Sequence, residues 1–338
     1  MHETLAQQIT AKLTSGRKIL LTVHRRPDPD ALGSAAAMAT YLKAQGIDAD
    51  FFSPTPLPPE AAFFGIYKSV TLAQVKQYDL LCTFDTGDLK HAGLDGVWGA
   101  NNESRANLRI SNSQIRKFGF HSQLAPPFLI NFDHHATNTR FGNLNVVDIT
   151  AASTTEVLYH FFKAVNWTIS VPALTYLLAG LLVDTDHFFN PATTASSLKM
   201  TAELLSQGVP FQAVRSFLFE RRKIGTLKLI GTVLARLQKH PRLPIAATYL
   251  TDEDIERFNL SADEIEGIAN LLNTVGDAKA MLVIKASAGV LRGSFRTTRE
   301  DVDVGKLAVY FGGGGHRKAA GFTISGALTF EDGHVKIK

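Results

Sequence analysis

The stretch KILLTVHRRPDPDALGS, residues 18–34, decides the fold of the N-terminal half of the chain. It opens with an apolar run at residues 18–24, which predicts a buried strand. A polar loop at residues 25–30 follows, and residues 31–45 are Ala-rich with helical spacing and are closed by Gly46. This order predicts a strand–loop–helix unit, which is typical of a parallel α/β sheet.

Two further apolar runs each end at an acidic residue. Residues 80–84 precede Asp85 and residues 128–132 precede Asp133, while the long polar segment 89–127 lies between them. We expect that segment to narrow or widen the entrance to a site, because connections of this length are often functional. Ligands of open parallel sheets bind at the carboxyl ends of strands, so these polar groups are expected to meet at one edge.

The remaining pattern predicts a second, smaller domain. Helices are predicted at residues 153–165, 173–183, 201–239, 263–274 and 304–310. Strands are predicted at residues 245–250, 280–285, 289–296 and 322–338. We therefore expect an α/β protein with a parallel-sheet domain at residues 1–197. A helical linker at 198–240 would join it to a smaller α/β domain at 241–338.

The composition is that of a globular protein, with 45% hydrophobic and 20% charged residues among 338. Cys82 is the single cysteine, which excludes a disulfide scaffold and a cysteine-rich zinc site. A net charge of +4 is a mild excess that fits an anionic ligand without identifying one. The polar N-terminus and the short apolar runs predict a cytoplasmic location and no membrane partner.

The first polar loop contains residues suited to cations. Pro27 and Pro29 stiffen it, so that Asp28 and Asp30 can point at two neighbouring cations, with His24 at the strand end. Oxygen and imidazole ligands suit Mn²⁺. An equally weighted alternative is that both acids cap the following helix and that the histidine is a hydrogen-bonded strand-end residue.

Similar residues follow the later elements. Asp85 follows a predicted strand and is interpreted as a metal ligand or a helix cap. Asp88 is interpreted as a helix cap or as a residue that contacts a metal ligand. Of the adjacent His134 and His135, one would ligate and the other would face a substrate. Asp184 ends an apolar helix, where burial is costly unless the acid is paired or metal-bound; a solvated helix end is the alternative.

A glycine run, GGGGHRKAAG at residues 312–321, lies near the C-terminus. Bare backbone N–H groups in such a loop can cradle a phosphate. For the run taken alone, a flexible turn is the better interpretation.

In their order and combination, these motifs resemble the DHH phosphoesterase superfamily. The resemblance rests on H-x-x-x-D-x-D-x-x-G-S at 24–34, D-T-G-D at 85–88, DHH at 133–135 and N-x-x-F-G at 138–142. The helix start at 153–156, the Asp184-Thr pair and the C-terminal GGGGHxxAAG add to it. The similarity is to the branch that contains oligoribonuclease (nanoRNase)/pAp phosphatases and cyclic-di-AMP phosphodiesterases. It implies a DHH domain followed by a DHH-associated substrate-binding domain.

The resemblance implies a site with two Mn²⁺ ions, for which Mg²⁺ or Co²⁺ can substitute, and a water activated by both. His24 and Asp28 would hold the first ion, Asp30, His134 and Asp184 the second, and Asp85 would bridge them. His135 would face the scissile phosphate as a donor or charge stabiliser. Asp133 would orient a neighbouring imidazole.

The resemblance also implies substrate-binding residues in the C-terminal domain. The far phosphate or the nucleoside would be held by Ser294, Arg296, Gly313, Gly314, Gly315 and His316. For the neighbouring cations Arg292, Arg317 and Lys318, a solvated face is the preferred interpretation. A homodimer is also suggested, without an identified interface.

The implied function is hydrolysis of di- to tetranucleotides of RNA to nucleoside 5′-monophosphates, with removal of the 3′-phosphate of pAp as a further activity. The alternative is hydrolysis of cyclic-di-AMP or linear pApA. A RecJ-like exonuclease and an inactive nucleotide sensor are lesser alternatives. The fourth motif departs from the family pattern, because Asp186 stands where glycine is usual. Asp186 can therefore compete as a ligand, and His187 can reach the substrate.

Overall fold

The computed structural model describes residues 3–15, 18–98, 127–219, 224–260, 276–331 and 334–337. The chain divides into two compact units, Met1–Glu220 and Arg221–Lys338. Most of the expected entrance segment (99–126) and the helix expected at 263–274 lie outside the described residues. No described helix has the length and apolar character needed to cross a bilayer.

Unit 1 contains a parallel sheet, as the sequence predicts. Its strands are β1 (Ile19–Thr22), β2 (Ala49–Phe52), β3 (Leu80–Phe84), β4 (Phe128–Asp133) and β5 (Leu144–Val147). Their order is β2-β1-β3-β4-β5, and every neighbouring pair is parallel. Strands β1 and β3 are buried along their whole length, because apolar residues pack against both faces of the sheet.

Helices surround this sheet. They are α1 (Glu3–Ser15), α2 (Pro29–Ala44), α3 (Asp95–Trp98), α4 (Thr154–Ala164), α5 (Val171–Asp184), α6 (Ala195–Ser206) and α7 (Phe211–Phe219), with 3₁₀ turns at Pro59–Ala62 and Leu72–Gln77. The helices predicted at 31–45, 153–165 and 173–183 correspond to α2, α4 and α5. Helix α1 and the short strands β2 and β5 were not expected from the pattern.

Helices α2 and α5 approach closely because glycine lies at their contact. A Cβ atom added at Gly180 would lie 2.9 Å from the Cα atom of Asp30, and one at Gly33 would lie 2.6 Å from the carbonyl oxygen of Tyr176. Larger residues would force the two helices apart. The close approach matters for the site, because Asp184 lies one turn after Gly180 on α5.

Unit 2 contains a mixed sheet. Its strands are β6 (Gln238–Lys239), β7 (Ile245–Thr251), β8 (Ala280–Ser287), β9 (Val290–Arg296), β10 (Gly314–Gly315) and β11 (Ala319–Ser325), in the order β10-β11-β9-β8-β7-β6. A separate hairpin follows, β12 (Leu328–Glu331) and β13 (His334–Ile337). Strands β7 and β8 are parallel, and the other described pairs are antiparallel.

Helices cover parts of both faces of this second sheet. They are α8 (Ile224–Ala235), α9 (Asp252–Phe258) and α10 (Val304–Tyr310). Helices α8 and α9 contribute to one apolar cluster, which includes Leu229 and Met281. Helix α10 belongs to another, with Phe295 and Phe322. The smaller α/β domain expected from the sequence is therefore present.

The helical segment expected at 198–240 is shared between the two units. Met200 and Val214, on α6 and α7, belong to the core of unit 1. Leu229, on α8, belongs to a core of unit 2. Domain limits at residues 197 and 240 stay a prediction.

Candidate active site

The candidate active site lies where three adjacent strands end. Strand β1 leads into His24, β3 into Asp85, and β4 ends at Asp133, which is followed by His134 and His135. The chain adds β2 on one side of β1 and β3 on the other, so the topological switch point lies between β1 and β3. The carboxyl ends of strands at such a point form the usual crevice of an open α/β sheet.

The structure brings together all six side chains predicted to ligate metal. Two sets of three have potential ligand atoms within 4.8 Å of one another. We call His24, Asp28 and Asp85 group A, and Asp30, His134 and Asp184 group B. Among the described residues a third set, formed by Asp85, His134 and His135, links the two groups.

Group A is centred on the Nε2 atom of His24. This atom lies 3.3 Å from Oδ2 of Asp85 and 3.8 Å from Oδ1 of Asp28. The opposite ring nitrogen, Nδ1, is 2.8 Å from the carbonyl oxygen of Arg25, so a proton on Nδ1 donates there and Nε2 is directed at the acids. Burial lowers the pKa of His24, but hydrogen bonds with Asp28 and Asp85 outweigh it and raise the pKa to about 11.

Asp28 combines the two roles that its sequence position allows. Its Oδ1 accepts hydrogen bonds from the backbone N–H groups of Asp30 and Ala31, at 3.0 and 3.1 Å, and so caps α2. The same carboxylate belongs to group A. Partial burial raises its pKa, but the hydrogen bond with His24 is stronger and leaves the pKa below its ordinary value.

Asp85 faces both groups. Its Oδ2 faces His24, whereas its Oδ1 lies 3.7 Å from Nε2 of His134. The hydroxyl of Thr154 donates a hydrogen bond of 2.9 Å to Oδ1. Asp85 also has a φ of 58°, a left-handed conformation that is costly for a residue with a side chain and is often found at functional sites.

Group B contains a fully buried carboxylate beside two half-buried side chains. Asp30 is fully buried and accepts the backbone N–H groups of Thr154 and Thr155, at 2.6 and 2.9 Å, at the start of α4. Nε2 of His134 lies 3.2 Å from Oδ2 of Asp184. Nδ1 of His134 is 3.3 Å from the Ala151 carbonyl, so the ring is oriented as in His24.

The carboxylates of group B resist ionisation. Burial and the negative charges of Asp184 and Asp85 raise the pKa of Asp30 well above its ordinary value. Burial also raises the pKa of Asp184, to about 6, even though the hydrogen bond with His134 opposes the rise. Burial lowers the pKa of His134, but Asp184 and Asp30 raise it to about 10.

This donor set fits divalent cations. Carboxylate oxygens with one imidazole in each group are ligands that Mn²⁺ accepts, and no thiolate is present. A bound cation would relieve the repulsion that raises the carboxyl pKa values of group B. Both groups can therefore hold a metal ion.

His135 is oriented by a chain of hydrogen-bonded polar groups. Its Nδ1 lies 2.7 Å from Oδ1 of Asp133, and Asn138 donates to Oδ2 of the same carboxylate. Asn138 also donates to the side-chain oxygen of Asn131, at 2.8 Å. The hydrogen bond to Asp133 raises the pKa of His135 and so favours the protonated ring, in which Nε2 also carries a proton.

Sequence reasoning missed two residues at this site, Thr154 and His91. The helix-start motif at 153–156 marked the neighbourhood of Thr154 without indicating its contact with Asp85. His91 packs its ring against His24, with ring centroids 4.8 Å apart. The signal for His91 in the sequence is its position three residues after Asp88. At this spacing the carboxylate of Asp88 accepts the backbone N–H of His91 and holds the turn.

The departure in the fourth motif produces an unusual turn. Asp186 and His187 follow the end of α5 with φ values of 48° and 57°, both left-handed. Glycine adopts this conformation more readily, which explains why glycine is usual there. In the part of the chain that is described, neither residue belongs to groups A or B or to the set that links them.

The predicted substrate residues of unit 2 lie on or next to β9 and β10, and β11 lies between these two strands. Ser294 and Arg296 alternate with the buried Phe295 on β9, so they share the opposite face of that strand. Ser294 pairs with Gly321, and Gly321 pairs with Gly314 of β10. Gly314 and Gly315 are therefore one strand away from the strand that carries Arg296.

Close packing explains part of the glycine run. A Cβ atom at Gly313 would lie 2.1 Å from the carbonyl oxygen of Gly321, so glycine is needed there. Gly315 is in the short strand β10, and His316 closes a tight turn with Ala319 through hydrogen bonds of 2.8 and 3.2 Å. The run is an ordered edge of the sheet.

The chain matches two families of known domains. Residues 18–105 match the DHH family, N-terminal domain, and residues 242–333 match the DHHA1 domain. A parallel sheet with acidic and imidazole groups at its edge, followed by this second domain, defines a metal-dependent phosphoesterase. The protein belongs to the DHH family of these enzymes and carries its DHHA1 domain at the C-terminal end.

Relatives with established names cover most of the chain. A protein of Thermus thermophilus named bifunctional oligoribonuclease and PAP phosphatase NrnA is 29% identical over 316 residues, which is 91% of this chain and 84% of the relative. A Bacillus subtilis protein of the same name is 25% identical over 311 residues, 90% of this chain and 89% of the relative.

A solved structure shares the fold. The crystal structure of an exopolyphosphatase-related protein from Bacteroides fragilis superposes with a TM-score of 0.79 at 20% identity, covering 95% of this chain and 91% of that one. At this identity the likeness is one of fold alone.

Proposed function

We propose that this protein hydrolyses di- to tetranucleotides of RNA to nucleoside 5′-monophosphates and also removes the 3′-phosphate of pAp. The observation that carries the proposal is that the histidines of groups A and B both face the carboxylate of Asp85. The names of the Thermus and Bacillus relatives support the choice of substrates.

In this proposal, groups A and B each hold one divalent cation, with Mn²⁺ as the preferred ion. When bound, such a pair of cations neutralises charge on phosphoryl oxygens and lowers the pKa of water. Asp85 directs one carboxylate oxygen at His24 of group A and the other at His134 of group B, and Thr154 keeps that carboxylate oriented. His24 and His134 each present Nε2, because the other ring nitrogen is directed at a backbone carbonyl.

His135 acts on the substrate in this proposal. With Nδ1 engaged by Asp133, its Nε2 proton is available to the scissile phosphate or to the leaving oxygen. Asp133 acts through His135, since it holds the ring and raises its pKa. Asn138 in turn holds Asp133, so the imidazole is oriented before a substrate arrives.

The nucleotide portion of the substrate is assigned to unit 2. Arg296 has a planar guanidinium suited to a phosphate, and Ser294 shares its face of β9. Gly313, Gly314, Gly315 and His316 supply backbone and imidazole donors at the neighbouring edge. A cytoplasmic location and a homodimer remain predictions.

The decisive experiment is a substrate panel with added Mn²⁺. It compares RNA dinucleotides and tetranucleotides, pAp, pApA, cyclic-di-AMP and a 20-nucleotide RNA, each with the wild type and with Asp85→Asn. We expect the fastest turnover with di- to tetranucleotides and with pAp, and no turnover of any substrate by the variant.

Other outcomes would overturn the proposal in specific ways. Cyclic-di-AMP turned over well above pApA and the RNA dinucleotides would indicate a cyclic-dinucleotide enzyme. Preference for the 20-nucleotide RNA would indicate an exonuclease. Nucleotide binding without turnover would indicate a sensor.

A further inference from the structure

A second histidine ring covers one face of His24. The rings of His91 and His24 are stacked, with centroids 4.8 Å apart and planes inclined by only 18°. His91 belongs to neither group A nor group B. Stacked aromatic rings restrict each other's tilt, so the contact limits the orientation of the His24 imidazole.

The turn that carries His91 is held by Asp88. The carboxylate Oδ1 of Asp88 accepts the backbone N–H of His91 at 2.6 Å. The carbonyl oxygen of Asp88 accepts the N–H of Ala92 at 3.1 Å. These two bonds close the turn that begins three residues after Asp85, and they fix the backbone position of His91.

The same turn is bonded to the residue after His24. The backbone N–H of Arg25 donates to the carbonyl oxygen of His91 at 3.1 Å, and its Nε–H donates to the carbonyl of Lys90 at 3.2 Å. The carbonyl of Arg25 is the partner of Nδ1 of His24. One edge of the His24 ring is therefore held by Arg25, and one face is held by His91.

We propose that His91 is a positioning residue for group A. By covering the ring face, it keeps Nε2 of His24 directed at Asp28 and Asp85 and so sets the affinity of group A for its cation. The inference rests on the proposed function only in requiring that group A binds a cation. The ring beside His134 is that of His135, in an edge-on contact, so group B does not depend on His91.

The test measures Mn²⁺ binding by the full-length protein, by calorimetry and by the resonance signal of free Mn²⁺. Two backgrounds separate the groups, since Asp184→Asn leaves group A intact and Asp28→Asn leaves group B intact. In the first background, His91→Ala is expected to weaken binding about 10–100-fold, as is typical when a residue behind a metal ligand is lost. In the second background it should change nothing.

Three further variants keep the test specific. His91→Phe retains a stacking ring and should bind Mn²⁺ within about 3-fold of its parent, because the ring contact and not the imidazole chemistry is required. Asp88→Ala frees the turn while keeping the ring, and should weaken group A in the same direction as His91→Ala. His160→Ala is the matched control, since His160 is also exposed and its contacts with Glu156, Ser196 and Tyr159 lie outside groups A and B.

Equal weakening of both groups, or no weakening of group A, would overturn the role of His91. So would a His91→Phe protein as weak as His91→Ala. A wild type that binds no Mn²⁺ would instead overturn the proposed function. The two failures are therefore distinguishable.

Discussion

Groups A and B both face the carboxylate of Asp85 but are built in different ways. Group A is formed by loops that follow β1 and β3, and its Asp28 carboxylate is 42% exposed. Group B is formed by helix ends: Asp30 lies in the first turn of α2 and Asp184 ends α5. Each pairs a histidine with two carboxylates. The pKa values of both acids in group B lie above their ordinary range, whereas the pKa of Asp28 in group A lies below it.

The difference shows two routes to a cation site. In group A, hydrogen bonds and the His91 ring orient a histidine whose Nε2 atom faces the two acids of the group. In group B, close helix packing brings two acids together. A bound cation would offset the electrostatic repulsion between them. Group A therefore depends on orientation, whereas group B depends on packing and charge.

The largest expected effect comes from the carboxylate that lies between the two groups. Asp85→Asn should lower kcat/KM about 1,000-fold or more and remove both cation sites, since the amide lacks the negative charge that faces both groups. Asp186→Asn is the matched comparison, because that acid lies outside both groups. Retention of two Mn²⁺ sites in Asp85→Asn would show that the groups are independent.

Removing one acid from each group should separate them. Asp28→Asn and Asp184→Asn are each expected to lose one Mn²⁺ ion and to lower kcat about 100-fold, about 3 kcal/mol in barrier height. Counting bound Mn²⁺ at saturation checks this. Loss of both ions from either variant would show that one group cannot bind without the other.

Helix packing should matter for group B alone. Gly180→Ala would place a Cβ atom 2.9 Å from the Cα of Asp30, and is expected to destabilise unit 1 by about 1–3 kcal/mol and to weaken group B. Gly231→Ala is the control, since a Cβ atom there meets nothing within 4 Å. Denaturant unfolding, with Mn²⁺ titration in the Asp28→Asn background, would detect a failure of this expectation.

The hydroxyl on Asp85 offers a smaller test. Thr154→Val removes the donor with little change in shape and is expected to weaken Mn²⁺ binding about 10-fold, as for other groups behind metal ligands. Thr154→Ser keeps the hydroxyl and should remain close to wild type. If the two variants bind Mn²⁺ alike, packing at this position matters and the hydrogen bond does not.

The raised pKa of Asp184 predicts a pH dependence without metal. Because its pKa rises to about 6 in the folded protein, its ionised form costs stability, and this cost grows as pH rises through 6. In EDTA, Asp184→Asn should therefore increase the free energy of unfolding by on the order of 1–3 kcal/mol at pH 8. The increase should be smaller at pH 5, and excess Mn²⁺ should reverse its sign.

Much of the sheet of unit 1 could be predicted from the pattern of residues. Strands β1, β3 and β4 are apolar runs that stop at a histidine or an acidic residue. The apolar run and the polar residue after it both indicate where the strand lies. Strand β2 is half-buried and only four residues long, and β5 has mixed polarity. Their pairing with β1 and β4 depends on partners distant in the chain.

The six potential metal ligands could be proposed because each sits at a strand or helix end within a recurring motif. The contacts that orient them could not. Thr154 reaches Asp85 across 69 positions of sequence, and the backbone N–H groups of α4 reach Asp30 across more than 120. Such contacts leave no local periodicity, and His91 stacks on His24 only once two loops have met.

The sequence by itself determines which residue types can hold a cation, their order along the chain and the α/β class. The reason is that the spacing of apolar residues and the chemistry of donor side chains are local properties. Tertiary structure decides which acids can bind the same cation and which histidine is held by a second ring. It also decides which glycines cannot be replaced by a larger residue. Distances of 3 to 4 Å between groups far apart in the chain arise only when the sheet order and the contact between α2 and α5 are formed.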